Sequence, residues 1–95
     1  MEPLGRPVNV LRQKALEVLE GKLTPESNPR FFAEDDILNM MHHLAIDDRA
    51  WLMEKLRDRR YPLENRKHLV GGMIIAPQDV TREAYAILEL EGPNI

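Results

Sequence analysis

The chain has 95 residues, of which 43% are hydrophobic and 31% are charged, and its formal net charge is −3. This length supports one hydrophobic core and excludes two independent domains, while the apolar content excludes wholesale disorder. Cysteine is absent, which excludes a disulfide framework, a thiolate metal site and a cysteine nucleophile, and is compatible with a reducing compartment.

The sequence pattern favours a cytoplasmic protein. Apolar stretches are short, such as the few residues around Met73 to Ala76, and lie far below the roughly 20 residues of a membrane-spanning helix. The first residues carry no apolar signal core. We expect a single helical domain over residues 1–95, with flexible tails at residues 1–8 and 92–95.

The first helix is predicted over residues 10–20. Apolar residues recur there at helical spacing. Asn9 stands at the N-cap position, and Gly21 stands where a left-handed residue commonly ends a helix. The following segment, residues 23–29, contains two prolines and is predicted to be a loop.

Two further helices are predicted over residues 34–45 and 48–60. Acidic residues begin the former, where the helix dipole favours negative charge. Asp47 is the expected N-cap of the latter helix. Pro62 is its expected stop, because the residue before a proline is driven out of the helical conformation.

Residues 63–75 admit more than one conformation. Their apolar residues, including Ile74, fit a buried helix, but Gly71 and Gly72 each disfavour a helix by about 1 kcal/mol relative to alanine. A helix, a bent helix and a short buried strand are all compatible with this segment.

A last helix is predicted over residues 78–90. The chain is therefore expected to be all-α, a compact bundle of four to five short helices.

Charge is segregated along the chain. Residues 49–67 hold seven basic and three acidic residues, whereas residues 1–48 hold five and nine, and residues 68–95 hold one and four. The basic block has three interpretations: solvated ion pairs with acidic helices, an acidic protein partner or second subunit, or nucleic-acid phosphate. The two central helices have the order of a helix-turn-helix, but the second begins with Asp47 and Asp48, which would repel phosphate.

Patterns for catalysis and metal binding are weak. His42 and His43 point about 100° apart on a helix, and only Asp47 lies four residues from one of them. Neither a Gly-x-Ser-x-Gly turn nor a phosphate-binding loop occurs. We expect Met40 and Met41 in the core, and a non-enzymatic protein without a catalytic, cofactor or metal site.

Trp51 is the most informative single residue. On a helix over 48–60, the indole projects roughly opposite an apolar stripe formed by three residues: Leu52, Met53 and Leu56. One interpretation is a helix packed on two sides, with the indole against the Phe31–Phe32 segment or Tyr61. The other is an indole that faces a partner, since tryptophan is enriched among strongly contributing interface contacts.

These patterns predict a small helical protein-binding module, an adaptor, inhibitor or assembly subunit that self-associates or docks onto another protein. The predicted partner-binding residues are the indole, neighbouring cations and two phenylalanines: Trp51, Lys55, Arg57, Arg59, Arg60, Phe31 and Phe32. The alternative is a nucleic-acid-associated regulator, or a phage-type packaging or assembly subunit, that uses the basic segment 49–67. No membrane partner is expected.

Overall fold

A computed structural model of the chain describes residues 6–33 and 35–89. Within these ranges it contains helices and no strands, which confirms the predicted all-α class. The helices are α1 (Arg6–Leu19), α2 (Pro29–Ala33), α3 (Asp35–Asp47), α4 (Arg49–Arg57), α5 (Leu63–Gly71) and α6 (Gln78–Leu88).

Helix α1 begins earlier than predicted. A proline in the first turn, Pro7, is compatible with a helix because the N–H groups of that turn have no intrahelical acceptor. Asn9 consequently lies inside the helix and is not its N-cap, and the helix starts within the segment that was expected to be a tail. The predicted end is confirmed: Gly21 has a positive φ of 81°, and the Asn65 side-chain amide donates a hydrogen bond to the Leu19 carbonyl, at 3.0 Å.

The junction between α3 and α4 differs from the prediction. Helix α3 begins with acidic residues, as expected, but continues through Asp47. Asp47 therefore ends one helix and does not cap the next. Asp48 is the N-cap of α4, and its side chain makes no capping hydrogen bond. The short α2, which begins at Pro29, was not predicted at all.

Helix α4 ends at Arg57, before the predicted residue 60. The buried Arg66 side chain explains where it stops. Its guanidinium donates hydrogen bonds to the carbonyls of Leu56, at 3.1 Å, and Tyr61, at 3.0 Å. A cation that satisfies carbonyls at a helix C-terminus is favourable for both hydrogen bonding and the helix dipole.

The region left open by the sequence is a helix that stops at its double glycine. Helix α5 ends at Gly71, and residues 73–76 form a turn. Met73 is buried as expected, but the prediction that Ile74 is buried was wrong, since 77% of it is exposed.

Helix α6 ends at Leu88, and Glu89 follows in the left-handed conformation. Gly92 and Pro93, which the sequence pattern predicts to end this helix, lie outside the described residues.

Helices α3 and α5 form the centre of the bundle. Helix α3 packs against α1, α2, α4 and α5, while α5 also contacts α1 and α6. The core is one cluster built mainly from leucine and methionine, as the scarcity of aromatic residues requires. Its largest fully buried side chains are Leu19, Met40, Met41, Leu44, Leu52, Leu56, Leu69 and Met73.

The approach of α5 to α3 generates a prediction about two adjacent glycines. A Cβ on Gly72 would lie 2.8 Å from Ile37 Cγ1 and 3.1 Å from Met41 Cγ, whereas a Cβ on Gly71 would meet nothing within 4 Å. Overpacking a buried contact costs about 1–3 kcal/mol. We expect Gly72→Ala to lower the free energy of unfolding by this amount in urea denaturation. Gly71→Ala is the matched control and should be neutral or slightly stabilising. Equal effects of the two substitutions would contradict the close approach.

Candidate functional site

Trp51 is half-buried and packs against the edge of the core. The Arg12 guanidinium of α1 lies 5.1 Å from the centre of the indole ring, and the Lys55 ammonium lies 5.7 Å from it. Both distances are within the range of cation–π attraction. The indole is therefore flanked by Arg12 of α1 and by Lys55 of its own helix, whereas the packing partners considered from the sequence were Tyr61 and the Phe31–Phe32 segment.

Arg12 is held over the indole by Asp48. Its Nε and Nη2 atoms donate to the two carboxylate oxygens of Asp48, at 2.5 and 2.8 Å. These hydrogen bonds raise the pKa of Arg12 above its ordinary value. The carboxylate that would otherwise cap α4 thus links α1 to the α3–α4 junction and orients the guanidinium above Trp51. A bidentate pair of this kind fixes the geometry as well as the charge.

The three predicted arginines each contact a carboxylate of their own chain. Arg57 Nη2 lies 3.5 Å from Glu83, and Arg59 Nη2 lies 3.8 Å from Glu89. Arg60 is bound by Asp58, with Nη2 at 2.8 Å from the carboxylate. All three arginines are nevertheless exposed. A partner would thus meet arginines whose charge is already partly compensated, which lowers the electrostatic gain from docking there.

The basic segment faces the acidic face of α6. Arg49, at the start of α4, donates to Asp79, at 3.1 Å, and to Glu83, at 2.7 Å. Together with Arg57 and Arg59, it corresponds to the first interpretation of the charge segregation, solvated ion pairs with an acidic helix. Docking of an acidic protein and of nucleic acid stay predictions, and the ion pairs reduce the positive charge that this segment offers to phosphate.

The predicted phenylalanines lie on another part of the molecule. Phe31 and Phe32 contact each other edge to face, with ring centres 5.2 Å apart, and Phe32 contacts His68 of α5 at 5.7 Å. Phe31 lines a shallow groove with Val10 and Lys14 of α1. Arg12, two positions from each of those residues, projects from the opposite flank of the same helix.

The structure does not assemble the predicted residues into one surface. Trp51 and Lys55 face α1 through Arg12, whereas Arg57 faces α6 through Glu83. The phenylalanines belong to the α2 region. The sequence predicted a single surface because most of these residues are close together along the chain. Helix periodicity does not show which neighbouring helix each flank of α4 contacts, and that information separates them.

The histidine region does not gather metal ligands. Met40 and Met41 are buried in the core, as predicted. His43 Nδ1 lies 3.9 Å from the carboxylate of Asp47, and His42 contacts the His43 ring at 5.7 Å. Across the described ranges, no three histidine or carboxylate side chains come together as a metal ion would require.

A surface that the sequence analysis did not identify lies at the turn between α5 and α6. We call it the Ile74 surface: Ile74 and Ile75, which are 77% and 52% exposed, and the two clefts beside them. One cleft, of about 370 Å³, lies toward α2 and is lined in part by Phe32 and Leu38. The other, of about 240 Å³, lies toward α6 and includes Tyr85. Ile74 lines both clefts and forms the ridge between them.

The turn that carries this ridge is anchored on both sides. Met73 and Ala76 are buried, and the Ala76 N–H donates to the Met73 carbonyl at 3.1 Å. The buried Thr81 hydroxyl lies 3.2 Å from the carbonyl oxygen of Pro77 and 3.4 Å from that of Met73. The exposed isoleucines are therefore held in place by the core residues that flank them. One feature of the sequence could have indicated this surface. Two adjacent isoleucines stand between Gly72 and Pro77, which favour a turn, and turns are ordinarily polar.

Comparison with known proteins gives no match: no protein-family model, curated protein or solved structure is significantly similar to this chain. Among the described helices, none has both the length and the apolar composition needed to cross a bilayer. Function must therefore be inferred from the geometry of the described residues.

The cover over the indole generates a prediction about fluorescence, for which Trp51 is the sole tryptophan reporter. Arg12→Ala removes the guanidinium that lies over the ring, so we expect red-shifted emission and stronger quenching by acrylamide. Lys14→Ala is the control, because Lys14 lies on the same helix and lines a different groove. Unchanged quenching in Arg12→Ala would show that the guanidinium does not cover the ring in solution.

The Asp58–Arg60 pair generates a prediction about pH. Hydrogen bonds from the side chain and the backbone N–H of Arg60 lower the pKa of Asp58 from 3.8 to about 2. Because the folded-state pKa is the lower one, the pair stabilises the fold above pH 3.8, and this contribution is lost as the pH falls toward about 2. Arg60→Ala keeps the backbone donor, so the Asp58 pKa should rise only part of the way to its ordinary value. Carboxyl-carbon NMR titration measures this. The same titration of Arg59→Ala should give the wild-type pKa, and a wild-type pKa in Arg60→Ala would refute the assignment.

Proposed function

We propose that this protein is a small, non-enzymatic, helical protein-binding module that acts as an adaptor, inhibitor or assembly subunit. The observation that carries the proposal is the Ile74 surface, where Ile74 lies exposed between two clefts and the adjacent Ile75 is exposed as well. Apolar side chains that lie together and exposed are a common mark of protein contact surfaces. The proposed location is the cytoplasm.

The way the isoleucines are presented supports a binding role. Most of the cost of exposing apolar side chains to water is recovered when a partner covers them. A turn anchored by buried Met73, Ala76 and Thr81 also loses little conformational entropy on binding, which favours affinity. Single exposed apolar residues are ordinary on protein surfaces, but Ile74 is adjacent to a second exposed isoleucine and is flanked by two clefts.

A second contact surface is proposed at Trp51 and Lys55, whose side chains lie together at the outer edge of α4. Tryptophan there would contribute a large contact area to a partner. The exposed residues Arg57, Arg59 and Arg60 are proposed as separate polar contacts, and Arg57 lies on the flank of α4 that faces α6. Phe31 and Phe32 lie apart from these residues, and Phe32 instead lines a cleft of the Ile74 surface.

Partner capture from cells that produce the protein tests the proposal. The wild-type chain should retain a defined partner, identified by mass spectrometry, and Ile74→Ser should lose it. Ile46→Ser is the matched control, because Ile46 is 54% exposed on α3 and lines neither cleft. Both variants should keep the wild-type circular dichroism. Retention of the partner by Ile74→Ser, or loss by both variants, would contradict the Ile74 surface as the binding site. Trp51→Ala in the same assay tests the second surface.

A further inference from the structure

We propose that the Ile74 surface binds an amphipathic segment of another protein, with apolar side chains entering the two clefts and carboxylates beside them. This inference rests on the proposed function and specifies the chemistry of the partner. It is carried by the charge around the clefts together with their shape.

Among the described residues, one charged side chain lines the clefts, and it is the cation of Lys67. Lys67 and His68 line the larger cleft, and no carboxylate among the described residues lines either one. Lys67 is exposed and has no ion pair within the described part of the chain. It differs in this respect from Arg57, Arg59 and Arg60, whose carboxylate partners are already present. An acidic group from a partner would therefore meet an uncompensated cation at Lys67.

The arrangement of the clefts fits a segment with apolar side chains on one face. Ile74 separates a cleft of about 370 Å³ from one of about 240 Å³. Two neighbouring depressions accept successive apolar side chains of one helical face, as in helix-in-groove recognition. Tyr85 and Gln78 in the smaller cleft offer polar groups for orientation. Carboxylates at the edge of the apolar face would then lie near Lys67.

The same charge pattern disfavours a second copy of this chain as the occupant. A twofold dimer brings identical patches together. Lys67 of each copy would then lie near Lys67 of the other, and like charges brought together at an interface are unfavourable. An acidic partner removes this repulsion.

Two synthetic amphipathic peptides test the proposal. They share leucines at helical spacing and differ only in their polar positions, which are glutamate in one peptide and lysine in the other. Binding to the full chain is measured by fluorescence anisotropy. Because the chain has a net charge of −3, nonspecific attraction would favour the lysine peptide. We expect the glutamate peptide to bind at least about tenfold more tightly, as local charge complementarity requires.

Matched variants assign the binding to these residues. Ile74→Ser should weaken binding of the glutamate peptide by about tenfold or more, whereas Ile46→Ser should not change it. Lys67→Glu should reverse the preference between the peptides. Lys14→Glu, a charge reversal at an exposed lysine outside both clefts, should leave the preference intact.

The remaining outcomes overturn the inference. If neither peptide binds, the proposed occupant is excluded. If Lys67→Glu and Lys14→Glu change the preference between the peptides equally, Lys67 is excluded as the cation that recognises the carboxylates. Light scattering that shows a dimer abolished by Ile74→Ser would make a second copy the occupant. If cellular partner capture depends on Ile74 but not on Lys67, the proposed function stands and the acidic partner does not.

Discussion

The contact between the end of α5 and the side of α3 constrains much of this structure. At Gly72 the backbone approaches Ile37 and Met41 so closely that a Cβ would have no room. The approach places Met73 in the core and brings the helix to its end. The next two residues lie in the turn that precedes α6, where both are exposed. The exposed Ile74 ridge is thus a direct consequence of how two central helices pack.

Electrostatic contacts join α4 to its neighbouring helices. The positive flank of α4 meets the negative flank of α6 through Arg49 and Arg57, which share Glu83. On the other flank, Arg12 bridges Asp48 and the indole of Trp51. The main use of the basic segment within the described chain is therefore to join neighbouring helices. Lys67, which is not used in this way, is available for a contact with something else.

Several cations of this protein pair with carboxylates of the same chain, whereas Lys67 does not pair within the described residues. Composition and segment counts make residues 49–67 the obvious basic surface, yet its exposed arginines have carboxylates nearby, and the buried Arg66 donates to main-chain carbonyls. The less conspicuous Lys67 combines exposure, the lack of an ion pair among the described residues, and a position beside an apolar cleft. Binding depends on this combination, because a charge gains most from a partner when no neighbour already compensates it and when apolar burial accompanies it.

The sequence by itself determined the all-α class, the approximate positions of the longer helices and the burial of Met40 and Met41. These follow from local periodicity and from glycine and proline, whose effects act over a few residues. Helix ends at Arg57 and Gly71 were decided by tertiary contacts, one from the Arg66 guanidinium and one from close packing on Ile37. The candidate site was also decided by tertiary structure, because the exposure of Ile74 and the pairing of Arg49 and Arg57 with Glu83 depend on helices far apart in the chain. Local pattern encodes which residues are apolar or charged, but only packing determines which of them are covered.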